Sequence, residues 1–306
     1  MLQEKIEILK QIFPDFFVRK GEEFVCYCPK HTHHKKKLEI NLNKNNFACW
    51  VCKWGGSVFK LLRDCGNKTQ INQYYTLVGY EPKIEDGATE KLSLPPEYRF
   101  LRNCDESEEV ENAISYLREH GIRNEEIITG KIGFCLTGEY ANRIIFPSFD
   151  DAGNLNFFNS RTMDANDPYK YRASGRHSRI VFNELFVDWS KPVVLVESVK
   201  TYCRHFRRVP NIICLNGSFI SKNYELFKKI IINDCPLVYV GFDPEAEPES
   251  LATIKKFADY NIPVKMINFS KQPDELETNE FIKSIELAQE LDKFDLLKQK
   301  LRKLYE

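Results

Sequence analysis

The stretch CPKHTHHKKKLEINLNKNNFACWVC, residues 28–52, begins and ends with a pair of potential metal ligands. Cys28 and His31 form the first pair, Cys49 and Cys52 form the second, and two residues separate the members of each pair. This spacing lets each pair hold one tetrahedral ion, and Cys and His ligands without an acid are typical of structural zinc. Cys26 competes for the first position, but Cys28 fits the spacing better. The sequence therefore predicts a zinc ribbon, with a cluster of reduced thiols as the alternative.

Basic and aromatic residues surround the predicted zinc ligands. Lys30 and Lys53 lie within the two turns, with Trp50 and Trp54 beside them. Lysines contact phosphates and indole rings stack on bases, so these four residues are predicted to bind single-stranded DNA. For the two tryptophans, a place in the small core of the ribbon is the alternative.

The second half of the chain has the pattern of a parallel α/β sheet. Four continuous apolar segments alternate with helical patterns: VVLVES (193–198), NIICLNG (211–217), PLVYVGFD (236–243) and IPVKMINF (262–269). Unalternating apolar strands between helices indicate a sheet that is buried on both faces. Carboxylates at three strand ends are expected to converge on the carboxyl edge, where open α/β sheets bind ligands. Oxygen ligands of this kind suit Mg²⁺ or Mn²⁺ bound with phosphates.

The length of 306 residues indicates about two domains. We expect an α+β chain in which a zinc ribbon precedes a larger core that contains the α/β domain, and a hairpin is predicted between IIFPSF and LNFFNSR. The expected divisions are a ribbon at 1–66, a linker at 67–100, the first part of the core at 101–191, the α/β domain at 192–275 and a helical segment at 276–306.

Charge and hydropathy restrict the class of protein only loosely. The formal net charge is zero, with 44 basic and 44 acidic residues, but basic residues are enriched in residues 1–70 and 141–210. This distribution permits an anionic partner without requiring one. No apolar segment approaches the length of a membrane span, and the N-terminus does not have the pattern of a signal peptide. The sequence therefore predicts a cytoplasmic protein without a membrane partner.

The motifs together resemble one known family. YCPKH followed by NFACWVCKWGGSVFKLL resembles the zinc-binding domain of the DnaG-type DNA primases of bacteria and many phages. The similarity continues through SYLREHGIRNEEIITGKIGF, NRIIFPSFDDAGNLNFFNSR and DPYKYRASG, in order, across about residues 20–275. The resemblance implies a TOPRIM fold for the α/β domain. It also implies a DNA-dependent RNA polymerase that makes short RNA primers on single-stranded DNA from ribonucleoside triphosphates.

The resemblance assigns roles to individual residues. It implies that Glu197 binds a metal close to the attacking hydroxyl and that further acids hold Mg²⁺ or Mn²⁺ ions, namely Asp243, Glu245 and Asp274. Basic residues at or near matching positions are expected to bind triphosphate or template: Arg143, Arg161, Lys170 and Arg172. For each of these, a solvated surface charge is the alternative.

Several positions depart from the family pattern. The usual Glu-Gly is Glu197-Ser198, the Asp expected four residues after the Glu is Thr201, and the usual Asp-x-Asp is Asp243-Pro244-Glu245. These departures indicate a divergent, phage-like member. They motivate a second hypothesis, in which the TOPRIM site is catalytically weakened and the chain is a single-stranded DNA-binding module at the replication fork. A TOPRIM nuclease or topoisomerase is disfavoured by the order of the motifs.

A helicase motor is not expected within this sequence. It contains no G-x-x-x-x-G-K-[ST] phosphate-binding loop, and little chain follows the predicted α/β domain. We therefore expect a separate replicative helicase as a partner.

Overall fold

A computed structural model describes residues 2–20, 23–78, 92–104, 107–221, 224–258, 260 and 262–291. Three five-stranded sheets follow one another along these residues. None of the helices in the described ranges is long and apolar enough for a membrane crossing.

The first sheet is antiparallel and forms the predicted ribbon. Its strands lie in sequential order and are β1 (Phe17–Lys20), β2 (Glu23–Cys26), β3 (Leu38–Asn41), β4 (Asn46–Cys49) and β5 (Gly55–Ser57). Leu38, at the start of β3, is paired with Cys26 on one side and Cys49 on the other. The end of β2 and the end of β4 therefore meet at one end of the sheet. This register brings the two ligand pairs together.

Three helices accompany the first sheet: α1 (Leu2–Ile12), α2 (Val58–Cys65) and α3 (Lys68–Leu77). Ser57 caps α2, because its Oγ accepts a hydrogen bond from Lys60 N at 3.2 Å. Helix α3 lies inside the segment predicted as a linker, yet its Tyr74 is buried and meets Phe59 edge-on, with ring centroids 5.6 Å apart. The predicted linker thus begins with a packed helix. Its residues 79–91 lie outside the described part of the chain.

The second sheet is also antiparallel and contains the predicted hairpin. In spatial order it runs β10-β9-β8-β7-β6, with β6 (Tyr98–Phe100), β7 (Gly133–Cys135), β8 (Arg143–Phe149), β9 (Leu155–Thr162) and β10 (Tyr171–Ala173). Helices α4 (Glu108–Glu119) and α5 (Asn124–Thr129) lie between β6 and β7 in the chain. Asp150 closes the β8–β9 turn by accepting hydrogen bonds from the N–H groups of Ala152 and Asn154.

The third sheet is the predicted α/β domain. Its order is β12-β11-β13-β14-β15, with β11 (Val193–Val196), β12 (Ile212–Cys214), β13 (Val238–Val240), β14 (Val264–Met266) and β15 (Gln289–Glu290). The first four strands in this order are parallel, and each is a mostly buried apolar segment, which confirms the sequence-based prediction. The associated helices are α6 (Val199–His205), α7 (Glu225–Ile232), α8 (Glu247–Ala258) and α9 (Thr278–Glu286).

The C-terminal segment differs from the helix predicted for residues 276–306. Helix α9 ends at Glu286, and the chain then adds β15 antiparallel to β14 at the edge of the sheet. The two residues of β15 are polar and exposed, so the local sequence has no strand pattern. Pairing with the open edge of β14 decides their conformation. Residues 292–306 lie outside the described ranges.

Among the described residues, two large hydrophobic cores join the three sheets, and a smaller cluster lies within the second sheet. One core joins the ribbon to one face of the third sheet, where Lys60 of α2 and Asp234 after α7 form an ion pair at 3.8 Å. The other core joins the second sheet to the opposite face, with Phe182 and Tyr202 in edge-on contact. The third sheet is therefore covered on both faces.

Candidate active site and zinc centre

Cys28, His31, Cys49 and Cys52 converge as predicted. Their ligand atoms all lie within 4.8 Å of one another. The Sγ atoms of Cys28 and Cys52 are 3.8 Å apart, and Cys49 Sγ lies 3.9 Å from His31 Nδ1. Ligands of a tetrahedral zinc at ~2.3 Å would be separated by about 3.8 Å. The geometry and the soft donor set therefore fit one structural zinc ion.

Cys26, the competing first ligand, is excluded by its environment. Its side chain is fully buried in the core of the ribbon, and burial raises the pKa of its thiol, with a further contribution from Asp15. A protonated, apolar setting is the ordinary environment of a structural cysteine.

The four predicted DNA-binding residues of the ribbon differ in exposure. Trp54 meets Phe47 edge-on at 4.6 Å and donates a hydrogen bond from Nε1 to Asp64 Oδ2 at 3.2 Å, so it packs with the core. Lys30 Nζ lies 5.3 Å from the centre of the Trp54 ring. Trp50 is 61% exposed, and Lys53 is exposed in the second turn.

Sequence reasoning missed the neighbours of Trp50. Trp50 lines an open cleft of about 700 Å³, here called the aromatic cleft, together with Phe17, Val25, Tyr27, Lys35, Lys36, Lys37 and Glu39. Lys36 Nζ lies 4.5 Å from the ring centre of Phe17 and 5.6 Å from that of Tyr27. The sequence signal for this cleft was the aromatic residues Phe17 and Tyr27, next to the ends of β1 and β2, together with the lysines at 35–37.

The acidic residues lie at the carboxyl edge of the third sheet, as predicted. Glu197 follows β11, Asp243 follows β13, Glu245 lies in the short helix Pro244–Ala246, and Asp274 lies in the short helix Pro273–Glu275. The backbone N–H of Asp243 donates a hydrogen bond to Glu197 Oε1 at 3.1 Å. The parallel pairing of β11 with β13 brings these two residues together.

Electrostatic repulsion marks this edge. Burial, followed by the neighbouring Asp243 carboxylate, raises the pKa of Glu197 to about 7. Burial, followed by the carboxylates of Asp274 and Glu245, raises the pKa of Asp243, and the Lys200 ammonium opposes that shift. Closely placed carboxylates that resist ionisation would be stabilised by a divalent cation.

The four carboxylates do not close around a single point. Across the described ranges, the zinc residues are the only group of three or more ligand atoms within 4.8 Å of one another. Asp274 forms an ion pair with Lys200, a residue that sequence reasoning missed. Glu245 accepts hydrogen bonds from Gln272 Nε2 at 2.9 and 2.8 Å.

The two substitutions after Glu197 have a structural explanation. Ser198 is the N-cap of α6, and its Oγ accepts a hydrogen bond from Thr201 N at 3.1 Å. The Thr201 hydroxyl lies 2.9 Å from the same Oγ. The residues that replace the expected Gly and Asp therefore stabilise the first turn of α6.

Two of the four predicted basic residues line a second cleft, of about 350 Å³, here called the basic cleft. Arg161 and Lys170 line it together with Tyr116, Thr162, Met163, Asp164, Ala165 and Asp167. The Arg161 guanidinium lies 5.5 Å from the ring centre of Tyr116 and 5.2 Å from that of Tyr171. Nε and Nη1, two guanidinium nitrogens of Arg161, which lines this cleft, are thus buried without a hydrogen-bond partner.

Arg143 and Arg172 are held by one aspartate. Arg143 is 1% exposed, forms an ion pair with Asp167, and donates from Nη2 to the Tyr169 carbonyl at 2.6 Å. Arg172 is partly exposed and lies 3.7 Å from Asp167. One guanidinium nitrogen of Arg143 is therefore already committed within the fold.

The second sheet adjoins the carboxyl edge of the third sheet. Burial, followed by Tyr116, raises the pKa of Tyr171 to about 12; the Arg161 charge opposes this shift and the Asp274 charge adds to it. Asn159 Nδ2, on β9, also donates to Asn216 Oδ1, after β12, at 2.8 Å. This hydrogen bond joins β9, the strand of Arg161, to the carboxyl edge of the third sheet.

Known proteins resemble this chain in both sequence and structure. Residues 2–80 match the family model of the CHC2 zinc finger. A DNA primase of Campylobacter jejuni is 24% identical over 212 residues, which cover 56% of this chain and 33% of that protein. The aligned region thus spans only about a third of that relative.

Two solved structures share the fold. The zinc-binding and RNA polymerase domains of the Aquifex aeolicus primase give a TM-score of 0.53 at 16% identity, covering 94% of this chain and 84% of that one. A DnaG primase catalytic domain bound to single-stranded DNA gives a TM-score of 0.50 at 16% identity, covering 60% and 74%. Residues 2–80 therefore match the CHC2 zinc finger family, and the chain as a whole is similar in sequence and fold to DNA primases of the DnaG type.

Proposed function

We propose that this protein is a DNA primase that joins ribonucleoside triphosphates into short RNA primers on a single-stranded DNA template. The observation that carries the proposal is the contact between Glu197 and Asp243 at a sheet edge that the Asn159–Asn216 hydrogen bond joins to β9, the strand of Arg161. The sequence relatives and the shared fold support it. A separate replicative helicase is the expected partner.

The acids of the third sheet would hold Mg²⁺ or Mn²⁺. They offer only oxygen donors, and their mutual repulsion leaves negative charge that a hard cation would neutralise. When bound, the metal polarises the attacking 3′-hydroxyl and the departing pyrophosphate. Glu197 and Asp243 are the proposed metal ligands nearest the chemistry, with Glu245 beside them.

The basic cleft would hold the phosphates. Arg161 lines the cleft, its Nε and Nη1 have no hydrogen-bond partner in the fold, and a guanidinium suits phosphate oxygens; its Cζ lies near the rings of Tyr116 and Tyr171. Lys170 adds an exposed positive charge to the same cleft. Arg143 orders the cleft through Asp167, whereas Arg172 is available to template from the surface.

The ribbon would bind template, with zinc as a structural ion and with Trp50 and the lysines as its contacts. We propose the functional divisions already expected from the sequence: a ribbon at 1–66, a core at 101–191, a TOPRIM domain at 192–275 and a C-terminal segment after residue 275. The segment between ribbon and core includes α3, which packs on the ribbon.

The test is primer synthesis on single-stranded templates with ribonucleotides and Mg²⁺ or Mn²⁺. We expect short RNA products from the wild type and a loss of at least a hundredfold in the Glu197→Gln variant. Glu7→Gln, which changes an exposed carboxylate on α1, is the matched control and should retain activity.

A second function is favoured by one observation, the ion pair between Lys200 and Asp274 at the proposed metal site. If that pair disables the site, the chain is a single-stranded DNA-binding module. Retained DNA binding with no RNA product on any template, in either metal, would establish this alternative and reject the primase.

A further inference from the structure

Lys200 places a fixed positive charge inside the acidic edge. It lies in the first turn of α6 and forms an ion pair with Asp274. The two side chains are only 19% and 13% exposed. A pair this well shielded from water differs from an ordinary surface lysine, because solvent screens it little.

Helix α6 holds Asp274 in position through more than this pair. Arg204 Nη1 donates to the Asp274 carbonyl at 3.0 Å, and His205 Nε2 lies 3.1 Å from the Pro273 carbonyl. His205 is fully buried and stacks on Phe281 of α9. Lys200 and Asp274 are therefore brought together by a rigid framework.

The other carboxylates of this edge have no such cation. Among the described residues, no lysine or arginine forms an ion pair with Glu197, Asp243 or Glu245. Glu197 contacts the backbone of Asp243, and Glu245 contacts the neutral Gln272. At this edge of the described chain, Glu197, Asp243 and Glu245 therefore have no paired cation, whereas Lys200 neutralises Asp274.

Lys200 competes directly with a metal ion for Asp274. Its ammonium group contacts Oδ2, one of the two carboxylate oxygens that a divalent cation could bind at about 2.0–2.1 Å. Two cations at one carboxylate repel each other, so the fixed charge of Lys200 disfavours a metal ion at Asp274.

We propose that Lys200 takes the place of one divalent cation, so that the site binds a single Mg²⁺ or Mn²⁺ on the side of Glu197 and Asp243. This inference rests on the proposed function, which supplies the metal site. Lys200 then acts as a positioning residue. Its ammonium group neutralises Asp274 in place of a second metal ion and keeps a positive charge at the acidic edge.

The experiment counts Mn²⁺ bound to the full, zinc-loaded chain by electron paramagnetic resonance titration. A triple variant, Glu197→Gln with Asp243→Asn and Asp274→Asn, defines the background from Mn²⁺ bound elsewhere. Above that background we expect one Mn²⁺ per chain in the wild type and two in Lys200→Met. Adding Asp274→Asn to Lys200→Met should return the count to one.

Two controls accompany the count. Lys200→Arg keeps the charge and should bind one Mn²⁺. Lys191→Met removes the lysine of another Lys–Asp pair, formed with Asp188 at 2.8 Å, at the opposite end of β11, and should also bind one. An increase in this control would show that the count responds to lysine loss in general and would overturn the proposal.

Two further results would overturn it: two Mn²⁺ ions in the wild type, or one in a Lys200→Met protein whose zinc content and circular dichroism are unchanged. If Lys200→Met does not fold, the wild-type and Lys200→Arg counts decide. Primer synthesis by a wild type that binds two Mn²⁺ would reject this inference alone. One bound Mn²⁺ without synthesis would reject only the proposed function.

Discussion

The backbone N–H of Asp243 donates a 3.1 Å hydrogen bond to the carboxylate of Glu197, joining the ends of two neighbouring parallel strands. The bond holds Glu197 close to the Asp243 side chain, where burial and like charge disfavour its ionised form. The arrangement stores electrostatic repulsion at the site that we propose for the metal.

Glu197 should make stability fall as the pH rises. Its native pKa of about 7 lies above the ordinary value of 4.5, so between these values the native state binds more protons than the unfolded state, and ionisation destabilises the fold. In Glu197→Gln this penalty is absent, since the amide oxygen still accepts the Asp243 N–H. After allowance for solvent screening, the variant should gain about 1–2 kcal/mol above pH 7 and nothing near pH 4.5.

Urea unfolding of zinc-loaded protein without added Mg²⁺ or Mn²⁺, from pH 4.5 to 8, measures this difference. Glu7→Gln, on the exposed face of α1, should track the wild type at every pH. A constant difference between Glu197→Gln and the wild type would contradict the raised pKa.

The ribbon should contain one zinc ion per chain that depends on Cys49. Cys49→Ser removes one of four converging ligands. Because zinc binding and ribbon folding are coupled, elemental analysis should find at least about fivefold less zinc than in the wild type, which is less than ~0.2 zinc per chain. Cys65→Ser, at a half-buried thiol outside the ligand set, should retain the ion. A zinc-free wild type purified without chelator would refute the ribbon assignment.

Arg161 should dominate triphosphate binding in the basic cleft. Arg161→Gln removes a partly buried guanidinium with two unpartnered nitrogens, and we expect roughly tenfold or greater weakening of ribonucleotide binding in Mn²⁺. Arg161→Lys should restore less than half of the lost free energy, because a point charge cannot make the paired contacts. Isothermal titration measures both variants.

Arg99→Gln is the control for Arg161, since Arg99 is exposed and contacts only local backbone carbonyls. Equal losses in Arg99→Gln and Arg161→Gln would mean that general charge, rather than the cleft, binds the triphosphate.

Substitution of Trp50 should weaken DNA binding, whereas substitution of Trp54 should lower the stability of the ribbon. Trp54→Ala loses packing on Phe47 and a hydrogen bond to Asp64, so thermal unfolding should show a loss of about 2–4 kcal/mol. Trp50→Ala should change stability by less than about 0.5 kcal/mol, because its ring is exposed. Its single-stranded DNA affinity should fall by about 1–3 kcal/mol if a base stacks on it.

Fluorescence anisotropy with a labelled oligonucleotide measures the binding half of this comparison. An unchanged affinity of Trp50→Ala for single-stranded DNA would show that Trp50 does not bind the template. Lys53, exposed in the second turn, would then be the remaining candidate for a template contact.

Much of the fold followed from local chemistry. The ligand spacing identified the four zinc residues, and the unalternating apolar segments identified β11 to β14 with Glu197 and Asp243 at their ends. Helix α3 could not be predicted, because its Thr, Gln and Asn residues read as a linker and one buried ring, Tyr74, anchors it. Strand β15 depends wholly on the edge that β14 offers.

The sequence by itself determined which residue types stand at strand ends and in metal-ligand turns, because these follow from spacing and hydrophobic pattern along the chain. Only the tertiary structure decided the charge state of the acidic edge. Lys200 and Asp274 are distant in sequence, and packing of α6 against the turn after β14 brings them into contact. Tertiary packing likewise decided that Trp50 is exposed and that Trp54 packs with the core, since burial depends on contacts with residues distant in sequence.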